Sequence, residues 1–473
     1  MMLLRDIGFK RLLQEEMKDV VLAVIPFYNV GGAINRNSTS RTNQNGPKSY
    51  GFRGNGRNYD LNRDFIKSDT KNAESFAKIF HYLDPDLFLD THVSNGADYQ
   101  YTMTLVYPQK DKLGGVLKDF QEETLLPYLF SHMEKGEDIM TPYVNMWGSH
   151  HRHPTPDKGI EQFPDYPRYS TGYTALFHTI GFMTETHMLK PYNQRVRSTL
   201  TFMKGMITAC HLFKDQLLQK RQNAKAEVKK QSYFPVSWVV DPDKHKDIEF
   251  LGYESGYKKS GIHNQDRLYY DRSKPIQKTI PFYDSYKTKD QVMKPEYYFI
   301  PRSWHNIIHR LDLNNITYTS VDTEQEFEAT VYYIQDFETS KSPYEGHYIH
   351  YNIQLEERKE KIKARKGDIM VPVNQAGNRY IIETLEPLGE DSFFKWNFFD
   401  MILQRKEYFS SYVFEDLALE ILRHDPALQE ALDKKIMEDE TFANNPNAQL
   451  YFIYQHSEHA EKAYMRYPIF KIE

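Results

Sequence analysis

Cysteine is almost missing: Cys210 stands alone in 473 residues. That excludes an intrachain disulfide framework and any metal site built from several thiolates. Cys210 lies in an apolar helical stretch and reads as a packing residue. No apolar run approaches the length needed to span a bilayer. A secretory leader is absent from the first residues, because Arg5, Lys10, Glu15 and Glu16 interrupt any apolar core. Excess basic charge is absent too: 60 Lys and Arg against 65 Asp and Glu leave a net charge of -5, which argues against a general nucleic-acid binder. No internal repeat of fixed period is present.

What is there is a globular composition, 40% hydrophobic and 26% charged, in a chain too long for one ordinary core. Two or three domains are expected, and we divide the sequence at 1–230, 231–390 and 391–473. Aromatics are abundant, with 35 Tyr and 29 Phe. Tyrosine-rich surfaces suit polar ligands such as sugars or peptides, although tyrosine packed at sheet edges is the plainer explanation.

In the first part, residues 2–17 have helical periodicity. Val20–Pro26 is a continuous apolar run of the kind found in parallel strands buried on both faces. Residues 29–62 form a long polar loop, a length that is usually functional inside a domain. Residues 68–83 predict an amphipathic helix, Leu87–His92 a short strand, residues 101–107 a further strand and residues 117–134 a helix. A loop over 140–170 leads to a short helix and a strand around Phe182. Strands alternating with helices predict an α/β fold, a mixed and mostly parallel sheet sandwiched by helices. A long helix from Tyr192 runs into Lys220–Lys230, whose polar end marks a domain boundary. Short β-type runs follow at 237–240, 297–301, 329–334, 347–355, 368–372 and 379–385. The charge run 356–366 reads as a solvated connection, and helical pattern returns over 398–432.

Three segments carry chemistry. The first is Arg53-Gly-Asn-Gly-Arg-Asn-Tyr-Asp-Leu-Asn62-Arg63-Asp64. A guanidinium with a neighbouring amide can grip a carboxylate through parallel donors. An upstream arginine can stabilise an oxygen that gains charge. Arg41 competes with Arg53 for that task. Taken alone, Asp60, Arg63 and Asp64 could equally be a solvated ion pair of little consequence. The second segment ends in His92, at the carboxyl end of its strand, where open α/β sheets bind ligands. Its imidazole is a candidate metal ligand, with Asp90 or a carbonyl to orient the other nitrogen. The third, Gly181-Phe-Met-Thr-Glu185-Thr-His187, ends a strand with a carboxylate suited to general base and then acid duty.

In this order the segments resemble the zinc carboxypeptidases, the M14 metallopeptidase family, over roughly residues 20–205. The resemblance implies Zn2+ as cofactor with His92 as a ligand. It implies Glu185 as base and Arg53 as oxyanion holder, with Asn62 and Arg63 on the free C-terminal carboxylate of a peptide. Tyr169 corresponds to the family's substrate-capping tyrosine, with Tyr173 the alternative and Arg168 a further carboxylate contact. The family's first two ligands come from a His-x-x-Glu pair, and this sequence contains none. We therefore expect either a chain that begins downstream of that pair, the more economical account, or a relative that has lost it and is inactive as given. The former would suit a periplasmic or secreted protein. The clusters His150, His151 and His153; His347 with His350; and His456 with His459 do not replace the pair.

The expected activity is metallocarboxypeptidase-like hydrolysis at or near a free C-terminus. The alternatives are an amidohydrolase of the succinylglutamate desuccinylase and aspartoacylase type and a non-catalytic protein that binds peptide ends. A peptide is the expected partner, and neither nucleic acid nor a transmembrane segment is. The region beyond 230 resembles accessory segments of some bacterial members and carries no assigned chemistry.

Overall fold

A computed structural model of the chain describes residues 1–147 and 155–473. Its architecture is mixed α/β. The candidate residues sit on a four-stranded sheet in the order Leu87–Ser94, Ile180–His187, Met103–Val106, Met140–Pro142. The outer two pairings are parallel and the central one is antiparallel. We call its first two members the histidine strand and the glutamate strand. The glutamate strand is the more deeply placed, with Ile180, Phe182 and Thr184 wholly buried. The histidine strand forms one edge of this sheet.

The helix Lys71–Leu83 packs beside it for reasons visible in its residues. Thr70 caps it by accepting from the Ala73 N–H. Ala73, Phe76, Ala77 and Phe80 make the buried stripe at helical spacing. Asp84 ends it in the left-handed conformation. On another side the 39-residue helix Tyr192–Lys230 buries Phe202, Met206 and Ala209 among the sheet's own core residues.

Val20–Pro26 is not a strand. It is irregular, and Val21 is 93% exposed. A parallel strand is stable only against a neighbour that satisfies its backbone, and no described residue forms a ladder with this run. Its apolar character alone could not supply that partner.

Beyond residue 230, Tyr233–Val240 pairs with Tyr286–Met293, and a long hairpin joins Lys246–Lys259 to Asp266–Tyr283. A six-stranded antiparallel sheet follows, in which Phe470–Ile472 at the end of the chain lies between Tyr297–Ile300 and Gln325–Thr339. Residues 356–366, expected as a solvated connection, mostly belong to the strand His350–Ala364. Its charges are used across the ladder, where Lys361 faces Glu328 and Lys363 faces Glu326. Residues 379–385, expected as a strand, form the helix Asn378–Leu385. The run is buried on every side, so its periodicity could not distinguish strand from helix. Helices Ser411–His424, Pro426–Glu438 and Pro446–Gln455 gather around Phe414, Leu432 and Tyr454.

The largest buried cluster crosses position 230: Phe65, Tyr173 and Val228 share it with Phe234, Tyr298 and Trp396. The segment that carries the arginines is thus packed against the C-terminal half of the chain. Among the described residues no helix is long and apolar enough to cross a membrane.

Candidate functional site

The histidine and glutamate strands run parallel, in a register that sets His92 directly beside Glu185. Neighbouring strands lie about 5 Å apart, so the two side chains share one patch of the sheet face. Strand alternation puts Asp90 on the same face as His92. The Asp90 Oδ2 lies 3.0 Å from His92 Nε2 and also accepts from the Ser170 hydroxyl at 2.8 Å. Burial works against the imidazolium, but the Asp90 carboxylate beside it more than offsets this and pushes the His92 pKa up to about 9.

Glu185 is part-buried, and its Oε2 is enclosed without a hydrogen-bond partner. Burial pushes its pKa up to about 7, with Asp90 acting in the same sense and His92, Arg53 and Arg63 opposing. A carboxyl held near neutrality is equipped to take and return a proton. The charges that act on Glu185 come from the other two sequence segments, which the fold brings to the third.

The loop that carries the arginines is rigidly built. Asn29 caps Val30–Ile34, and its side-chain N–H donates to the Arg53 carbonyl at 2.8 Å. Asp60 accepts from the Asn62 N–H, starting the turn Leu61–Arg63, and its other oxygen pairs with Arg53 at 2.9 Å. Asp64 is wholly buried and accepts from the Thr70 hydroxyl and from the backbone N–H groups of Asp69 and Thr70. It is therefore a structural anchor for the capping residue of the next helix, not part of a surface ion pair.

Arg63 is half-buried and has no acidic partner within ion-pair distance among the described residues. It donates to the Asn62 carbonyl at 2.9 Å, and its guanidinium lies over the Tyr169 ring at 4.7 Å. Burial alone would lower its pKa; the Tyr169 and Tyr344 phenols and the Asp60 carboxylate outweigh it, and the net shift is upward. The Asn62 Oδ1 is buried without a partner. Arg41 is half-buried in the left-handed conformation, and burial followed by the nearby Arg53 charge lowers its pKa. Three guanidinium groups are therefore carried by this loop with Asp60 as the ion-pair partner of one, an arrangement that favours an anionic ligand.

Tyr169 thus supports Arg63. Its alternative, Tyr173, is wholly buried in the core and donates to Asn314 at 2.6 Å. Arg168 is held by Asp391, with Nη2 to Oδ1 at 2.7 Å, Nε to the same oxygen at 2.9 Å and its backbone N–H to Oδ2 at 2.7 Å. Its guanidinium is satisfied without a ligand.

Zinc can be weighed against these residues. His92 offers one nitrogen and Glu185 one carboxylate, whereas a zinc site takes about three protein ligands. Among the described residues no group of three or more His, Cys, Asp or Glu is arranged to hold a metal ion. The described side chains do not complete a zinc site. His150, His151 and His153 lie outside the described residues. His347 bonds Asp69 and His350 bonds Asp400, so that pair serves two separate structural contacts.

Three residues escaped the sequence reading. Tyr143 follows the strand Met140–Pro142; burial and the neighbouring Glu185 raise its pKa, and its ring meets Phe163, which in turn meets Tyr169. An aromatic wall thereby links Glu185 to Arg63. Tyr344 and Glu345 come from the far side of the chain, and no local pattern marks them. Comparisons with protein families, curated proteins and solved structures return no match for this chain.

Proposed function

We propose that the chain is a hydrolase of the zinc-carboxypeptidase type, acting on an amide bond close to a free carboxylate. Glu185 carries this reading: it is an enclosed carboxyl with a pKa of about 7, beside an imidazole and within the field of Arg53 and Arg63. Arg63, with Asn62, holds the substrate's carboxylate, because it is a half-buried guanidinium without an acidic partner among the described residues. Arg53 faces the oxygen of the scissile carbonyl and stabilises the charge that develops there. Only Nη1 of Arg53 is engaged by Asp60, so its remaining N–H groups are the donors for this role. Arg41 stands beside it as the next candidate. Glu185 takes a proton from the attacking water and delivers it to the leaving amine. The sheet that carries Glu185 and His92 would then be the core of a carboxypeptidase-like fold. Zinc belongs to the reading through His92 alone, and the assay decides whether the ion is needed.

That assay offers the chain acetyl-Gly-Phe, its C-terminal amide and an N-acyl amino acid such as N-acetylaspartate, with added Zn2+ and with chelator. Release of phenylalanine from the free acid only, lost in Glu185→Gln, is the expected result. Cleavage of N-acetylaspartate instead would move the chain to the aspartoacylase-type amidohydrolases. Binding of the acid peptide without turnover under either condition would make it a peptide-end binder.

A further inference from the structure

Asp60 is a three-way junction, and one of its contacts comes from the C-terminal half of the chain. Its Oδ2 accepts from Arg53 Nη1 at 2.9 Å, and its Oδ1 accepts the Asn62 N–H at 3.1 Å. Its own N–H donates to Glu345 Oε2 at 2.7 Å. Arg53 and the turn Leu61–Arg63 are thus both built on a residue whose backbone Glu345 holds. That contact is with a neutral backbone donor and engages a half-buried carboxylate. A hydrogen bond to an ionised acceptor is about twice as strong as one between neutral groups. It also leaves the Asp60 carboxylate itself to Arg53 and Asn62.

Glu345 belongs to the turn Tyr344-Glu345-Gly346-His347, in the connection between the strands Gln325–Thr339 and His350–Ala364. The turn is closed by reciprocal bonds, the Tyr344 N–H donating to the His347 carbonyl at 2.7 Å and the His347 N–H to the Tyr344 carbonyl at 3.1 Å. Both central residues are left-handed, Glu345 at φ 50° and Gly346 at φ 84°. Glycine adopts that conformation freely, whereas a glutamate does so at a cost and keeps it only where its surroundings over-determine it. Those surroundings are residues 59–69. His347 bonds Asp69 at 2.7 Å, and the Nζ of the buried Lys67 donates to the Glu345 carbonyl at 3.5 Å. A Cβ at Gly346 would lie 3.1 Å from the Tyr59 hydroxyl. The Tyr344 ring stacks on Trp396 with centroids 6.1 Å apart, which ties the turn to the C-terminal core as well.

We propose that Glu345 is a positioning residue of the site: acting through the Asp60 N–H, it sets Arg53 and the Asn62–Arg63 turn in the arrangement that receives the anionic end of the substrate. The C-terminal half of the chain then takes part in substrate binding without touching the substrate. The inference rests on the carboxylate-holding role of Arg63 given above.

The test measures binding of acetyl-Gly-Phe and of its C-terminal amide by calorimetry in chelator, so that affinity is read without turnover. Wild type should prefer the acid, and Arg63→Met should abolish the preference. Glu345→Ala removes the acceptor of the Asp60 N–H, whereas Glu345→Gln keeps a carbonyl oxygen in its place. The alanine variant should weaken the acid peptide about fivefold, the scale of one hydrogen bond, and leave the amide unchanged. The glutamine variant should restore the wild-type ratio to within about twofold. A purely structural role would move both peptides together. An unchanged acid-to-amide ratio in Glu345→Ala, or a glutamine variant as impaired as the alanine one, would overturn the assignment of Glu345 alone, provided Arg63→Met still loses the preference. No preference in wild type, or one that survives Arg63→Met, would overturn the carboxylate-holding reading and this inference with it.

Discussion

Replacing Asp391 by alanine should be among the most damaging single changes near the site, although residue 391 touches no proposed substrate atom. Its side chain is 1% exposed and that of Arg168 16%. Besides the three contacts from Arg168, the Trp396 Nε1–H donates to Oδ1 at 3.1 Å. Truncation to alanine leaves a buried guanidinium without its counter-charge and two neutral donors without acceptors. Breaking a buried pair from one side costs about 3–5 kcal/mol, and the stranded neutral donors fall inside that range because the group acts as a unit. Replacing both partners, in Arg168→Met with Asp391→Leu, removes the unpaired charge and should restore most of the loss. Urea unfolding followed by tryptophan emission is the assay, since Trp396 lies against both groups. A coupling of at least about 2 kcal/mol in the double-mutant cycle is expected. A cost below about 1 kcal/mol for Asp391→Ala, or a double variant as unstable as the single one, would refute the reasoning. The double variant should also keep its affinity for an acid peptide, since Arg168 is satisfied within the protein.

Glu185→Gln should abolish turnover yet stabilise the fold in alkali. A carboxyl whose folded pKa is raised to about 7 gives full stability below its unfolded value of 4.5 and loses it as pH rises through about 7. At pH 8.5 the variant should exceed wild type by about 1–3 kcal/mol in denaturant titration. The same group makes kcat/KM rise with pH through about 7, because the base must be ionised. His81 and His178, both lowered to about 4 by burial, act in the opposite sense. Their neutral forms contribute stability above pH 6.5 that is lost as pH falls towards 4, by up to about 3 kcal/mol each; thermal melts across that window should show the decline, flattened in His178→Gln. Gly346→Ala should cost about 1–2 kcal/mol from its φ and its approach to Tyr59. Gly261→Ala, with open space around its Cβ position, is the control and should melt with wild type.

Much of the scaffold was legible because its signals are local. The apolar runs at Leu87 and Ile180 form strands, and the pattern from Tyr192 becomes a helix that ends at Lys230. The same logic failed at Val20–Pro26, where a strand needs a neighbour that pattern cannot provide, and at 379–385, where uniform burial erases periodicity. Charge patterning misled at 356–366, because alternating Lys and Glu can be satisfied across a ladder as well as by water.

By itself the sequence determined which groups are available: an arginine-rich loop, a histidine and a glutamate at strand ends, a single thiol. It also determined the helices and strands whose stability comes from neighbouring residues. Only the tertiary structure decided which groups meet. The register that sets His92 beside Glu185 joins residues 93 positions apart in the sequence by their numbering. The contact between Asp60 and Glu345 spans 285 positions. Such meetings are set by how buried faces pack, and that is a property of the whole chain rather than of any window along it.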